Sequence, residues 1–390
     1  MKILHVLPEF PARPRRCPSG VINVVYHLSK EQVKLGHEVT VSTSSAGCTK
    51  NRGKEQIGDD SSPFNGVNVL HFSSFLSYDH FYVTPKFVSF MKKSLTTFDV
   101  VHIHDVRCFQ SIVAQYYARR YNRPYVLQTH GSHLGVLSEK KLKWMLDCAS
   151  SRRILRNATR AIALNTTEAE YYSQLGLPAH IIDVVGNGID VAEYEGGHRG
   201  EFRKKFGIGK EDRVILYVGR LTNTKGLDLL VETISDLKKS LRALKLVIVG
   251  PDDGYESELK RQVRALKIEA CTLFTGPVDE TDKKDAYIDA DVFVTPSFTG
   301  FPLTFLESCA CGTPIVTTKN ADTLDWIDGK VGYVTAYKKN ELAQAIMNII
   351  CEETIRAEFT ANCRTLVEKQ FAWPKIVDKI QETYCRAAKS

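Results

Sequence analysis

Short runs rich in valine and isoleucine alternate with longer helical segments, and the alternation starts afresh midway along the chain. In the first half the apolar runs are KILHVL (2–7), closing at Pro8, then EVTVST (38–43), VNVLHF (67–72), DVVHIHD (99–105), PYVLQTH (124–130), RAIALN (160–165) and HIIDVVGNG (180–188). Between them lie helical patterns such as VINVVYHLSKEQVKLG (21–36) and SIVAQYYARRYN (111–122). The second half repeats the scheme with RVILYVGR (213–220), LKLVIVG (244–250), CTLFTG (271–276), DVFVTPS (291–297), TPIVTT (313–318) and GYVTA (332–336). Strand–helix–strand repetition of this kind is the pattern of βαβ units in a parallel sheet covered on both faces. The expectation is therefore an α/β protein of two Rossmann-like, doubly wound domains. The loop-like stretch IDVAEYEGGHRGEF (189–202) separates them, giving a first domain over 1–190 and a second over 191–372. A last helix over 373–390 is long enough to cross back onto the first domain. Two such halves facing each other place a cleft between the carboxyl ends of their strands, where α/β folds bind ligands.

Composition narrows the class. The chain has 390 residues, 43% hydrophobic and 25% charged, enough for two ordinary globular domains. The net charge of +7 suits anionic small molecules or an anionic membrane surface, and equally an ordinary solvated surface; no nucleic-acid partner is expected. The ten cysteines include no CxxC pair, and no histidine spacing suits zinc, so no metal is expected and the thiols read as reduced and cytoplasmic. MKILHVLPEF is too short and polar for a signal peptide, and no apolar run reaches the ~18 residues of a membrane span.

The chemistry-bearing residues follow the strands. After RVILYV comes GRLTNTKG (219–226), where Gly219, Arg220 and Lys225 occupy a loop that opens a helix. Two cations beside free backbone N–H groups and a helix dipole attract an anion, although a loop arginine and lysine taken alone are more often simply solvated. After DVFVTP comes SFTGFPLTFLESCACGTP (297–314). Gly300 lets backbone approach a ligand closely. Read as one helix, Thr299 and Glu307 lie roughly 80° apart and share a side. The carboxylate in this apolar run needs partners: the paired hydroxyls of a ribose, or a neighbouring basic residue. In the first half, Ser19 and Gly20 read as a turn opening a helix, without the GxGxxG of a nicotinamide enzyme. His130, at a strand end before Gly131, is placed to touch a ligand. His102 and His104 share a strand face, with Asp105 on the other; His102 reads as structural, while His104 and Asp105 are candidates to support the site from behind.

Together these residues resemble the retaining GT-B glycosyltransferases of the glycosyltransferase group 1 (family 4) type. The resemblance rests on the Ser19-Gly20 turn followed by GHEVTV, on DVVHIHD, QTHG, VVGNGID and VGRLTNTKG, on VTPSFTGFPLTFLESCACGTPIV, and on FAW before the last helix. It implies that Arg220 and Lys225 hold the diphosphate of a nucleotide-sugar donor without a metal. It implies that Glu307 binds the ribose, that Gly300, Phe301, Pro302 and Leu303 lay backbone along the donor, that His130 contacts the donor sugar, and that Gly20 faces the diphosphate. Thr299 stands where the family usually has the first glutamate of an E-x7-E pair, Val21 where a second glycine is usual, and Asn320-Ala321-Asp322 where a glycine pair is common. The implied activity is metal-independent transfer of a sugar to a glycan or lipid-linked acceptor in cell-surface glycoconjugate synthesis. The basic, partly amphipathic EKKLKWMLDCASSRRILRN (139–157) reads either as a patch resting on the inner face of an anionic membrane or as an ordinary surface helix. A sugar-nucleotide epimerase of the same architecture and a non-catalytic nucleotide-sugar-binding partner are the competing readings.

Overall fold

The computed structural model describes residues 1–10, 20–45, 61–78, 81–131, 150–241, 243–298, 300–319 and 324–389. The chain divides into two units: Met1–Gly188 together with Trp373–Ser390, and Ile189–Ala372.

The first unit carries strands β1 (Lys2–Glu9), β2 (Glu38–Ser44), β3 (Ser61–Phe64), β4 (Val67–Phe72), β5 (Leu76–Tyr78), β6 (Phe81–Val83), β7 (Val100–His104), β8 (Tyr125–Gln128), β9 (Arg160–Ala163) and β10 (Ile182–Val184). Among the described residues, eight of these form one sheet in the order β10-β9-β8-β7-β1-β2-β4-β3. The pairings are parallel except β3 with β4, and β5 and β6 form a separate antiparallel hairpin. This antiparallel edge departs from the purely parallel sheet expected; a short loop at Asn65 and Gly66, both with positive φ, turns β3 back onto β4. β1 also runs one residue past Pro8, to Glu9. The central strands β7 and β8 are buried throughout, as strands covered on both faces must be. The helix Gly20–Lys34 buries Ile22, Val24, Val25 and Leu28, and the helix Trp373–Ala388 buries Trp373, Ile376, Val377, Ile380 and Tyr384 at helical spacing.

The second unit carries β11 (Arg213–Val218), β12 (Leu244–Val249), β13 (Thr272–Gly276), β14 (Val292–Thr295), β15 (Ile315–Thr318) and β16 (Gly332–Thr335). Their order is β13-β12-β11-β14-β15-β16, parallel at every pairing. This is the 3-2-1-4-5-6 order of the Rossmann fold, and it reverses between β11 and β14. The helices Leu227–Ser240 and Lys339–Cys351 set Leu230, Ile234, Leu342, Ile346 and Ile349 against the sheet residues Ile215, Leu246 and Val292. Truncating one such leucine to alanine removes roughly 2–5 kcal/mol.

Candidate functional site

The point where strand order reverses fixes where to look in the second unit. The loops after β11 and β14 leave adjacent strands in opposite directions, and each leads into a helix: Leu227–Ser240 after β11, and Leu303–Ala310 after β14. The first is preceded by Gly226 and the second by Pro302, and no described side chain caps either. Their first backbone N–H groups are therefore available, at the positive ends of two helix dipoles. Gly226 sits at φ 67°, and a Cβ there would lie 3.0 Å from Cβ of Pro296 and 3.1 Å from the Tyr337 hydroxyl. That glycine lets the loop after β11 pass close to the loop after β14. At Gly250, a Cβ would come within 2.0 Å of the Gly219 carbonyl oxygen. The ends of β11 and β12 thus meet backbone to backbone.

Arg220 and Lys225 lie in this crossing. The Tyr217 hydroxyl donates to the Arg220 carbonyl (3.0 Å), and Leu221 N–H donates to the Pro251 carbonyl (3.0 Å), which shapes the loop. The Arg220 guanidinium pairs with Asp253 at 2.7 Å, with both groups well exposed. Lys225 is partly buried, and no ion pair reaches it among the described residues. Burial first, and then the Arg220 charge, hold its ammonium below the usual lysine range. A cation depressed by burial and a like charge is a place that gains from an arriving anion.

The segment after β14 corrects one sequence expectation. The helix begins at Leu303, so Thr299 precedes it, and angular arithmetic between Thr299 and Glu307 does not apply. Thr299 itself lies outside the described residues. Gly300 adopts φ 67°. The Phe301 ring packs with Phe371 (5.5 Å between centroids) and Trp326 (6.1 Å), so this side chain belongs to an aromatic cluster and any donor contact falls to its backbone. Glu307 is buried, and its partners are in the protein. Lys283 Nζ donates to Oε1 at 3.1 Å and the Tyr287 hydroxyl to Oε2 at 3.1 Å. A neighbouring basic residue, and not a ribose alone, accounts for the carboxylate in its apolar helix; each oxygen keeps a second acceptor site. Burial works against the charge on Lys283, but Glu307 and Glu280 outweigh it and lift the ammonium above its ordinary range. Burial, and then the Glu307 charge, push the Tyr287 hydroxyl well up. Glu307→Leu leaves the Tyr287 hydroxyl orphaned and Lys283 with Glu280 alone. Urea unfolding of this variant is expected to show a loss of roughly 1–3 kcal/mol.

In the first unit the order also reverses beside β1, between β7 and β2. Gly20 is the first residue of the helix Gly20–Lys34 and is exposed; Ser19 before it lies outside the described residues. His104 ends β7, and its Nδ1 is 2.8 Å from His130 Nε2. The two residues singled out from separate strand ends are thus in direct contact. Asp105 plays another part: at φ 101°, its Oδ1 accepts from the N–H groups of Val106 (2.6 Å) and Arg107 (3.0 Å), turning the chain after β7. His130 is partly buried at φ 54°, and burial pushes it down to about 3.

Besides the partners of Glu307, two groups near His104 and His130 escaped the sequence reading. His5 on β1 is in register with His102 on β7, and its Nδ1 is 2.8 Å from His104 Nε2. The nitrogens of His5, His102 and His104 lie within 4.8 Å of one another, near enough to consider a metal. A separation of 2.8 Å is a hydrogen bond, however, and is shorter than the roughly 3.3 Å between two nitrogens on one tetrahedral zinc. The other missed residue is Glu168, which stands behind His130. Its Oε1 accepts from the Thr129 hydroxyl (2.6 Å) and Gly131 N–H (3.1 Å), the residues on either side of His130. The positions Lys140, Lys141, Lys143, Trp144, Met145 and Leu146 of the basic segment, and Asn320-Ala321-Asp322, lie outside the described residues. Among those described, no helix is long and apolar enough to cross a membrane.

Comparison with known proteins places this architecture. Residues 18–193 match the model described as Glycosyltransferase Family 4, and residues 198–366 match Glycosyl transferases group 1. An uncharacterized glycosyltransferase of Methanocaldococcus jannaschii is 27% identical over 98% of both chains. The alpha-monoglucosyldiacylglycerol synthase of Streptococcus pneumoniae is 30% identical over 48% of this chain and 43% of its own. The structure of Anabaena HepE in complex with UDP and glucose superposes with a TM-score of 0.76 at 19% identity, over 98% of this chain and 99% of that one. That likeness bears on the fold, which is GT-B. The two matches adjoin and together run through both units, and the chain belongs to the group 1 glycosyltransferases.

Proposed function

We propose that this protein transfers a glycosyl group from a nucleoside-diphosphate sugar to an acceptor hydroxyl, with retention of configuration and without a metal. The observation that carries this reading is the pair of helix starts at the β11/β14 reversal that no described side chain caps, with Arg220 and Lys225 in the loop that leads into the first. Departure of the diphosphate is the hard step of the reaction. Two cations and two sets of backbone N–H groups stabilise the charge that develops on it, which supplies what a divalent ion would otherwise supply. Glu307 uses its remaining acceptor sites on the ribose hydroxyls. The backbone from Gly300 to Leu303 lies along the donor, and the helix opened by Gly20 faces the diphosphate. His130 accepts a hydrogen bond from a hydroxyl of the transferred sugar, and His104 supports it from behind, while Asp105 holds the turn that follows β7. The leaving phosphate takes the acceptor's proton, so no dedicated base is required. The HepE structures with UDP and with UDP-glucose support the donor class, and the family assignment favours transfer over epimerisation. The lipid product named in the streptococcal relative favours a lipid or lipid-linked acceptor.

A panel of uridine and guanosine diphosphate sugars, read by thermal shift and by release of free nucleoside diphosphate, tests this reading. One base is expected to stabilise the protein, by about 2.7 kcal/mol at a hundredfold excess over Kd. Nucleotide release is expected to depend on an added acceptor. Absence of any stabilisation across the panel overturns the reading.

A further inference from the structure

Six side chains from the first unit form one hydrogen-bonded line. His130 Nε2 is 2.8 Å from His104 Nδ1, and His104 Nε2 is 2.8 Å from His5 Nδ1. His5 Nε2 is 2.8 Å from Gln32 Oε1. Gln32 Nε2 donates to the Tyr384 hydroxyl at 3.2 Å, and that hydroxyl is 2.7 Å from His102 Nδ1. His5, Gln32, His102, His104 and Tyr384 are buried, and they come from β1, the helix Gly20–Lys34, β7 and the helix Trp373–Ala388.

Gln32 Oε1 faces His5, and that placement gives the line its direction. An amide oxygen only accepts and an amide nitrogen only donates. With Gln32 Oε1 toward His5, the proton of His5 is on Nε2, so its Nδ1 is bare and accepts from His104 Nε2–H. His104 Nδ1 is then bare and accepts from His130 Nε2–H. His130 is left with a bare Nδ1, to which no described group donates. At the other end the Tyr384 hydroxyl receives the amide N–H and gives its own proton to His102. Each ring is neutral in this scheme. Burial agrees, holding His5 at about 4 and lowering His102 and His104 well below the usual histidine range, with their neighbouring imidazoles adding to the effect.

The backbone of His130 is fixed separately. Glu168 Oε1 accepts from Thr129, Gly131 and the Tyr172 hydroxyl (3.0 Å), and Oε2 accepts from Leu164 N–H (2.6 Å). This carboxylate ties both neighbours of His130 to β9 and its following helix, and so holds a residue in a left-handed conformation that a non-glycine side chain adopts at a cost.

We infer that His104, His5 and Gln32 are positioning residues that hold His130 as the neutral Nε2–H tautomer, presenting its Nδ1 lone pair to a donor hydroxyl of the substrate, with Glu168 fixing the backbone that carries the ring. The substrate part rests on the reading of His130 given above; the tautomer does not.

Long-range 1H–15N correlation spectra of the 15N-histidine-labelled protein test both parts. Wild-type His130 is expected to show a protonated Nε2 and a bare Nδ1. Gln32→Met removes the amide and is expected to give a tautomer mixture at His130, with kcat lowered on the order of tenfold and KM little changed. Gln32→Glu keeps an acceptor toward His5 and is expected to restore the single tautomer. Tyr384→Phe, which takes away the acceptor of the Gln32 amide N–H, serves if the methionine variant does not fold, and is also expected to give a mixture. A wild-type His130 protonated on Nδ1, or an unchanged tautomer in the folded variants, overturns the relay whatever the activity. A tautomer that behaves as expected while His130→Ala turns over normally removes the substrate role and leaves the relay standing.

Discussion

Lys225→Ala is expected to lower kcat on the order of 10²–10³-fold, with Arg220→Ala close behind. The asymmetry comes from burial. Lys225 is partly enclosed, with no counter-charge among the described residues, and burial and Arg220 both depress its ammonium. Its charge is least stabilised in the free protein and gains most when a diphosphate leaves beside it. Arg220 is already paired with Asp253 in an exposed position where solvent weakens each interaction, so it must exchange one anion for another. Because both cations act on one departing group, the double variant should lose less than the product of the single losses. Steady-state rates of nucleotide release, with protein folding checked by circular dichroism, measure the effect. Near-normal turnover in both single variants would remove the diphosphate from this loop and, with it, the main support for glycosyl transfer.

The repeat of strand and helix carried most of the fold, because a buried parallel strand must be apolar along its whole length. β11 shows as an apolar run for that reason, β8 as one that ends at Gln128, and β7 as one interrupted by His102 and His104. The antiparallel β3 did not show, since its identity depends on a local turn at Asn65-Gly66 that lays it back on β4 at the edge of the sheet. The loop after β11 was legible because glycines and cations follow a strand directly. The partners of Glu307 were not legible. Lys283 and Tyr287 lie on the preceding helix Glu280–Asp289, and only the packing of that helix beside Leu303–Ala310 brings them to the carboxylate. The histidines show the same limit. Strand periodicity put His102 and His104 on one face, but His5 joins them only through the register of β1 against β7, and Gln32 and Tyr384 only through two helices packed on that face. Buried polar networks are non-local, so local periodicity finds their members one at a time and not their pairing.

Acidification is expected to unfold the first unit well before the second. His5, His102, His104 and His130 face one another and Gln32, Gln128 and Tyr384, with Glu168 behind the His130 turn; no described carboxylate contacts any of the four rings. Burial holds His5 at about 4 and His130 at about 3, and lowers His102 and His104 well below the ordinary value of 6.5. The folded state therefore excludes protons that the unfolded chain binds. The stability these groups contribute is complete above pH 6.5 and is lost as pH falls from there through the folded values. Each group costs about 1.4 kcal/mol per pH unit in that window. At pH 5.5 His5 and His130 together remove roughly 3 kcal/mol, and His102 and His104 add to that loss, against a whole stability of about 5–15 kcal/mol for an ordinary domain. In the second unit the described histidine is His198, for which no such burial applies. Hydrogen exchange followed by mass spectrometry at pH 7.5 and 5.5, corrected for intrinsic exchange, separates the units: protection should collapse in β1, β7 and β8 while β11, β12 and β14 hold. His102→Gln should flatten the pH dependence by about one histidine's share, 1.4 kcal/mol per pH unit. A first unit whose stability does not fall between pH 7.5 and 5.5 would mean that the line of imidazoles takes up protons at no cost, and the neutral hydrogen bonding assigned to it would then be wrong.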